Sequence, residues 1–323
     1  MQLNKIRITQ TKNYGMGTVI NNKVFGGKAK ETLMAAEEET VRLEGLLSRF
    51  IPESEISRIN RSAGIRYEKV SIETYEVLSR AVEFSKCCQG CFDVTVGPLV
   101  NLWKSFSDAS NPPEESRIRQ ILALVDYTDL VLDPCEEAVC LKKAGQSIDL
   151  GGIGKGFAAD LILEVFKKYE VLSAFTNFGG NVAAIGAKPD GSPWHIGIRH
   201  PRKENSLIGV VSVVNKSVVT SGDYQRYSTD SSGKRYHHIL DLSTGYPAES
   251  GLVSVTIVAD TSTAADALST ILFVAGMEKG LKLLSRFPGT EAILVDIDLQ
   301  VHVTAGLKNC FQACKRINVE ILN

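Results

Sequence analysis

The chain has 323 residues, 44% hydrophobic and 23% charged, and Lys+Arg 36 against Asp+Glu 37 leave a net charge of −1. Length suggests two domains or one large one, and the composition excludes a disordered chain, a collagen-like repeat and a small disulfide scaffold. Balanced charge provides no global basic field to recruit nucleic acid. Mean hydropathy is near zero, and no run approaches the roughly 20 apolar residues of a membrane span. The opening M-Q-L-N-K-I-R-I-T-Q lacks the apolar core and small-residue cleavage site of a secretory signal, so a cytoplasmic protein is expected. Seven cysteines cannot all pair internally, and a chain this long buries a core without staples.

In chain order, alternation at Lys5-Ile6-Arg7-Ile8-Thr9 and Thr18-Val19-Ile20 predicts two strands joined by a glycine-containing turn. Residues 28–48 predict a long amphipathic helix, Glu53 to Asn60 a short one, and 72–88 and 114–124 two more, the last after the Pro112-Pro113 break. Between them, Cys87, Cys88 and Cys91 form a C-C-x-x-C cluster. A four-ligand zinc site needs a second pair, for which Cys310 and Cys314 are the candidates. Half-buried thiols in a reducing compartment are the stronger reading, with metal or redox chemistry the minor one. From Val131 the pattern turns to strands (L-V-L-D, A-V-C-L, S-I-D-L), then a helix over 154–169 and short strands through 172–259. Helices over 261–275 and 277–286 precede a final strand pair, A-I-L-V-D and Q-V-H-V-T. Regular βα alternation is missing, which argues for α+β rather than a doubly wound sheet. No linker or repeat divides the chain, so one integrated catalytic unit over 1–323 is expected.

Four stretches carry candidate chemistry. Ser147 to Phe157 runs from an apolar segment through Asp149 into Gly151-Gly152-Ile153-Gly154-Lys155-Gly156 and a helix start. Glycines let backbone approach a ligand, and a helix N-terminus favours anions. The spacing matches neither the dinucleotide fingerprint nor the P-loop, and a tight strand-to-helix connection is the plainer alternative. Asn177-Phe178-Gly179-Gly180-Asn181 reads as a ligand-facing turn or, more simply, a hairpin. In Tyr236-His237-His238-Ile239-Leu240-Asp241 adjacent histidines in a strand point to opposite faces, leaving one as an acid/base candidate beside an aspartate. Asp266 and Thr270, at i and i+4, share a helical face. They offer hard oxygen ligands of the kind Mg²⁺ accepts, or an ordinary hydrogen bond near a helix start.

These stretches in this order, with Met16-Gly17-Thr18 before them and Phe92-Asp93-Val94-Thr95-Val96-Gly97-Pro98-Leu99 between, resemble the ApbE family of FAD:protein FMN transferases from about residue 14 to about residue 305. The resemblance implies an α+β, T-fold-like unit with mixed or antiparallel sheets and flanking helices. It implies Mg²⁺-dependent transfer of FMN from FAD to a Thr or Ser hydroxyl of an acceptor flavoprotein, such as an electron-transfer or reductase subunit, with release of AMP. By similarity Asp266, Thr270 and the carbonyl of Gly152 hold Mg²⁺, and His238 is the base or orienting group for the acceptor hydroxyl. Met16, Phe50, Cys91, Phe92, Asp93, Asp149, Lys155 and Ile239 are the FAD-contacting positions, Asp149 toward adenine or ribose and Lys155 toward phosphate. Asp266 is expected to be a helix-surface carboxylate whose removal leaves folding intact. Phe50 stands where relatives often carry Tyr, and no secretion signal, lipid-anchoring cysteine or membrane anchor is visible. Two other functions fit the same residues: Mg²⁺-dependent cleavage of FAD to FMN and AMP with water as acceptor, and FAD binding without turnover.

Overall fold

A computed structural model describes residues 8–26, 28–106 and 112–322. Strands β1 (Ile8–Gly15) and β2 (Thr18–Phe25) form the expected hairpin, turning through Met16 and Gly17 at φ 51° and 70°; Lys5–Arg7 lie outside the described residues. Helix α1 (Ala29–Leu47) buries Leu33, Ala36, Thr40, Leu43 and Leu47, the three- and four-residue spacing of one apolar stripe. Helix α2 (Glu55–Arg61) begins at Ser54, whose hydroxyl accepts from Ser57 N at 3.0 Å. After β3 (Glu68–Lys69), α3 (Ile72–Cys87) is capped in the same way by Ser71.

Helix α4 (Gly97–Phe106) is not among the elements expected from the sequence, where Gly97-Pro98 stands only in the Phe92–Leu99 stretch that carries the family resemblance. Proline suits the first turn of a helix, where its missing N–H costs nothing, and Leu99, Trp103 and Phe106 then bury at helical spacing. Next come α5 (Glu115–Leu122), β4 (Leu130–Asp133) and β5 (Ala138–Leu141). The expected S-I-D-L strand is not one. Asn60 takes the place of a neighbouring strand, accepting from Ile148 N at 2.6 Å and donating to Ile148 O at 3.1 Å, and Asp149 N donates to Val94 O at 2.8 Å. A single parallel bridge, Val96 to Ser147, is all the pairing this run has.

Helix α6 (Gly154–Lys168) follows, then β6 (Ala174–Phe178), β7 (Asn181–Ile185), β8 (Trp194–Arg199), β9 (Leu207–Val213), β10 (Ser217–Gly222), β11 (Tyr227–Thr229), β12 (Arg235–His237) and β13 (Leu252–Ala259). Helix α7 (Ser262–Leu284) is broken at Gly276, φ 74°, so its two arms match the two helices expected there. The chain closes with β14 (Glu291–Asp296), β15 (Val301–Thr304), β16 (Phe311–Ala313) and β17 (Val319–Leu322).

Nine strands make one sheet in the order β1-β2-β6-β7-β10-β13-β14-β15-β17, antiparallel except where β17 runs beside β15. One face, with Ile20, Phe178, Ile257 and Leu294, is covered by helices that include α1, α6 and α7. The other, with Val218, Val258, Ile293 and Val303, packs on the three-stranded sheet β16-β9-β8. The class is therefore α+β with a mixed sheet, as read from the sequence.

Helices α6 and α7 meet with almost no space between their backbones. A Cβ on Gly156 would lie 2.3 Å from Ser262 O and 2.7 Å from Asp266 Cβ. Asp160, one turn further along α6, accepts from Ser262 N at 2.7 Å and Thr263 N at 2.8 Å and so caps the start of α7. Gly156→Val should therefore destabilise the protein by about 1–3 kcal/mol or more through overpacking. At Gly45 in α1, by contrast, a Cβ would meet nothing within 4 Å, and Gly45→Ala should stabilise by up to about 1 kcal/mol. Urea unfolding of both variants checks the pair, and an unchanged midpoint for Gly156→Val would refute the close-approach argument.

Candidate active site

A cavity of about 1710 Å³ opens on the helix-α6 end of the molecule. Its wall is assembled from the β1–β2 turn, the loop after α1, residues 91–93, the glycine run before α6, all of β8 and the segment from Tyr224 to Leu242. The residues that the family resemblance assigns to FAD, metal or catalysis (Met16, Phe50, Cys91, Phe92, Asp93, Asp149, Gly152, Lys155, His238, Ile239, Asp266 and Thr270) all line it, whereas Cys87, Cys88, Cys310 and Cys314 do not. Positions 254 residues apart in the chain, from Met16 to Thr270, thus converge on one space.

At its floor, Asp266 and Thr270 sit one turn apart on α7. Asp266 is 4% exposed, which corrects its reading as a helix-surface carboxylate. One oxygen accepts from Gly156 N at 2.9 Å, while the other faces Lys155 Nζ at 3.8 Å. The hydroxyl of Thr270 lies 3.4 Å from that of Ser221, and a Cβ on Gly152 would be 3.4 Å from Thr270 Oγ1, so the Gly152 backbone abuts this corner. One carboxylate oxygen without a close hydrogen-bond donor, one hydroxyl and an adjacent peptide are all hard oxygen donors, a set that suits Mg²⁺ sharing its coordination with water and phosphate. Among the described residues no group of three or more His, Cys, Asp or Glu converges on a metal geometry, and Cys310 and Cys314 flank β16, on a sheet that excludes the Cys87–Cys91 segment.

Strand alternation does not separate the two histidines, because β12 ends at His237 and both residues border the cavity; their ring contacts separate them. His237 turns into the protein: one ring nitrogen bonds Ala248 O at 3.0 Å, the other accepts from Ile239 N at 3.3 Å, and the ring packs edge-on to Phe273. His238 faces the cavity, with Nδ1 3.1 Å from Arg226 O. A carbonyl can only accept, so Nδ1 carries the hydrogen and Nε2 presents its lone pair to the cavity. The ring is open to the cavity but enclosed by protein elsewhere, and the loss of hydration, helped by the charges of Arg226, His237 and Lys155, pushes its pKa down to about 4. Asp241, three residues on, does not orient this ring. Its carboxylate accepts from Ser243 N and Oγ at 2.8 and 2.7 Å in a turn.

Other candidates are partly committed to the fold. Asp93 accepts from Thr95 N and Oγ1 and from Tyr127 N, each at 2.7 Å, and burial raises its carboxyl pKa. Asp149 pairs with Arg49 and accepts from Gly151 N at 2.7 Å, which shapes the glycine run. Phe92 and Ile239 supply buried apolar wall, and Met16 holds the rim in its left-handed turn. Phe50 is 70% exposed at the mouth, with Arg49 and Lys104 cations 5.3 and 4.9 Å from its ring. Asn177 to Asn181 is a two-residue hairpin turn with Gly179 and Gly180 at positive φ, and it also borders the cavity. Sequence reasoning missed Arg49, Ser221, Arg199 and Arg226. The last two line the cavity with no acidic partner among the described residues. Only the position of Arg49, next to Phe50, carried a signal; an isolated Arg or Ser in a strand-rich stretch has none.

Fold and site together define an α+β protein with a large cavity built at a glycine-rich helix start, where backbone donors and lysine favour an anionic ligand. The sequence profile of the ApbE family matches residues 16–294, and the chain belongs to that family. It is 35% identical over 310 residues to the FAD:protein FMN transferase of Treponema pallidum, spanning 90% of this chain and 85% of that one. To the enzyme of the same description from Klebsiella pneumoniae it is 36% identical over 255 residues, 79% and 78% of the two chains. Among solved structures, the ApbE protein from Thermotoga maritima superposes with a TM-score of 0.85 at 33% identity, over 94% of this chain and 98% of that one. The flavin transferase ApbE from Vibrio cholerae gives 0.83 at 25% identity, over 94% and 99%.

The protonation of His238 is directly measurable. Its ring resonance, assigned by comparison with His238→Gln, should stay at the neutral position from pH 8 to about 5 and titrate near 4. A midpoint at or above the ordinary histidine value near 6.5 would show that the cavity does not hold this imidazole neutral.

Proposed function

We propose that this chain is an FAD:protein FMN transferase that moves FMN from FAD, with Mg²⁺, onto a Thr or Ser hydroxyl of an acceptor flavoprotein and releases AMP. The activity is that of the relatives at 35 and 36% identity. The observation that carries the chemistry is the juxtaposition around Lys155: its ammonium lies 3.8 Å from the buried Asp266 and its charge acts on the neutral His238. A proton acceptor and an anion-neutralising corner thus share one wall of a cavity large enough for a dinucleotide.

Gly152, Asp266 and Thr270 would hold the metal, which when bound neutralises charge on the pyrophosphate of FAD. The protein's own residues do the rest. The N-terminus of α6 and Lys155 favour the phosphates, and Arg199 and Arg226 add cations without acidic partners among the described residues. His238 Nε2 takes the hydroxyl proton of the acceptor as its oxygen attacks the FMN phosphorus, while the Nδ1 hydrogen bond to Arg226 O fixes the tautomer. The bond to AMP breaks as the new phosphoester forms, so the work is positioning and charge compensation. A cytoplasmic location belongs to the same proposal. All seven cysteines are free thiols, as a reducing compartment favours, and recovery of the native protein outside the cytoplasm would overturn it.

Two variants test the chemistry with FAD, Mg²⁺ and an acceptor protein, read as protein-bound flavin fluorescence. Asp266→Asn keeps a carbonyl oxygen for Gly156 N but removes the charge, whereas alanine would also leave a buried donor unpaired. Transfer should fall steeply and the Mg²⁺ requirement rise, and normal transfer at low Mg²⁺ would refute the metal corner. His238→Ala should slow transfer about 10²–10⁴-fold with little change in FAD affinity. His237→Ala should lower the melting temperature, because it unties Ala248 and Ile239, yet keep transfer within about tenfold of the parent rate, below the loss expected of a general base. Release of free FMN without acceptor labelling would favour the hydrolase instead.

A further inference from the structure

The three cysteines near the end of α3 are not used by the proposed chemistry, yet two of them close one tight turn whose last residue, Cys91, borders the cavity. Cys88-Gln89-Gly90-Cys91 is a tight turn: Cys91 N donates to Cys88 O at 3.3 Å, and Gln89 and Gly90 both have positive φ, 53° and 89°. Such a turn brings its first and fourth Cα atoms within about 7 Å, and a disulfide spans about 4.4–6.8 Å. Cys88 is 1% exposed and its thiol is directed at backbone oxygens, Ser85 O at 3.4 Å and Phe92 O at 3.6 Å. Cys91 is 5% exposed, and the space it borders is the cavity. Cys87, the last residue of α3, lies half-exposed outside the turn.

We infer that Cys88 and Cys91 are a site of reversible disulfide formation, reached by small disulfides from the cavity through Cys91 and shielded when FAD is bound. The exchange balances without help from the protein. The Cys91 thiolate attacks one sulfur of a low-molecular-weight disulfide, forming a mixed disulfide and releasing one thiolate. The Cys88 thiolate then attacks Cys91 Sγ, closing the Cys88–Cys91 bond and releasing the second, and the two protons lost by the cysteines go to the released thiolates or to solvent. Two cysteines are oxidised and one disulfide is reduced. Burial pushes the Cys88 thiol up to about 11, so the closing step is slow at neutral pH and should quicken about tenfold per pH unit below that value, as the thiolate fraction does. The product has a reason to matter. Phe92, next in the chain, is buried against the Gly152 backbone, where a Cβ would lie 3.0 Å from Phe92 Cε2. A bond across the turn would fix the segment that seats this ring.

Only the shielding arm rests on the proposed function, and the experiment separates the two. The purified full-length protein is incubated with oxidised glutathione at pH 8, with and without FAD, and thiol-blocked peptides are mapped by mass spectrometry. The expected result is a Cys88–Cys91 cross-link, reversed by dithiothreitol, while Cys87 remains alkylatable or carries glutathione alone. Cys88→Ser should arrest the reaction at a glutathione adduct on Cys91. Saturating FAD, its binding followed separately by flavin fluorescence, should slow the cross-link at least tenfold. Cross-linking of Cys87 instead, no cross-link in the wild-type protein, or an undiminished rate with FAD bound would each overturn the inference. Failure of FAD to bind would strike the transferase reading and leave the cross-link result standing.

Discussion

The site depends on one close approach. Helices α6 and α7 can cross as they do only because position 156 has no side chain, and that contact places Gly156 N 2.9 Å from the carboxylate of Asp266. Asp160 secures the same crossing from the other side through the first amides of α7. The helix start that offers backbone to an anion is therefore bound to the helix that presents the candidate metal ligands. Neither can shift without the other, and that kind of rigidity is what positioning catalysis demands.

The nine-stranded sheet supplies the second constraint. Strand β10 lies between β7 and β13 and ends at Ser221 and Gly222, which puts the Ser221 hydroxyl 2.8 Å from Ser269 and 3.4 Å from Thr270. The chain then leaves the sheet, and the segment that follows bears Arg226 and the hairpin β11–β12. His238 is fixed by that departure, since its N–H and its ring both bond Arg226 O. One carbonyl thus sets both the backbone and the tautomer of the proposed base. The neutral ring follows from enclosure and neighbouring positive charge, with no carboxylate to raise its pKa.

Much of this was legible in the chain, for physical reasons that differ from element to element. Helix α1 declares itself by spacing, and the β1–β2 hairpin by alternation around Met16-Gly17. Residues 147–150 misled because an apolar run cannot reveal that its partner is a side chain, Asn60, rather than a strand. Helix α4 was hidden by a proline that breaks helices in their interior and starts them at their first turn. The i, i+4 pair of Asp266 and Thr270 told which face they share but not that the face is buried, because burial here comes from α6, some 110 residues away. Arg199 and Arg226 left no trace at all: their significance lies in the acids that are not beside them among the described residues.

The electrostatics of the floor suggest how substrate and metal would be coupled under the proposed function. Asp266 is buried, and Lys155 already lies 3.8 Å from its outward oxygen. A single charge with a hydroxyl and a peptide carbonyl is a weak offer to Mg²⁺, which gives up water reluctantly and is usually held by carboxylates together with phosphates. Lys155 weakens that offer further while no anion is present. Under the proposed function a pyrophosphate entering at the start of α6 would change both terms: it would bring further hard oxygens and would attract the lysine away from Asp266. Under the proposed function the carboxylate would be freed for the metal by the same anion whose charge the metal would neutralise, and the substrate would complete the corner that serves it.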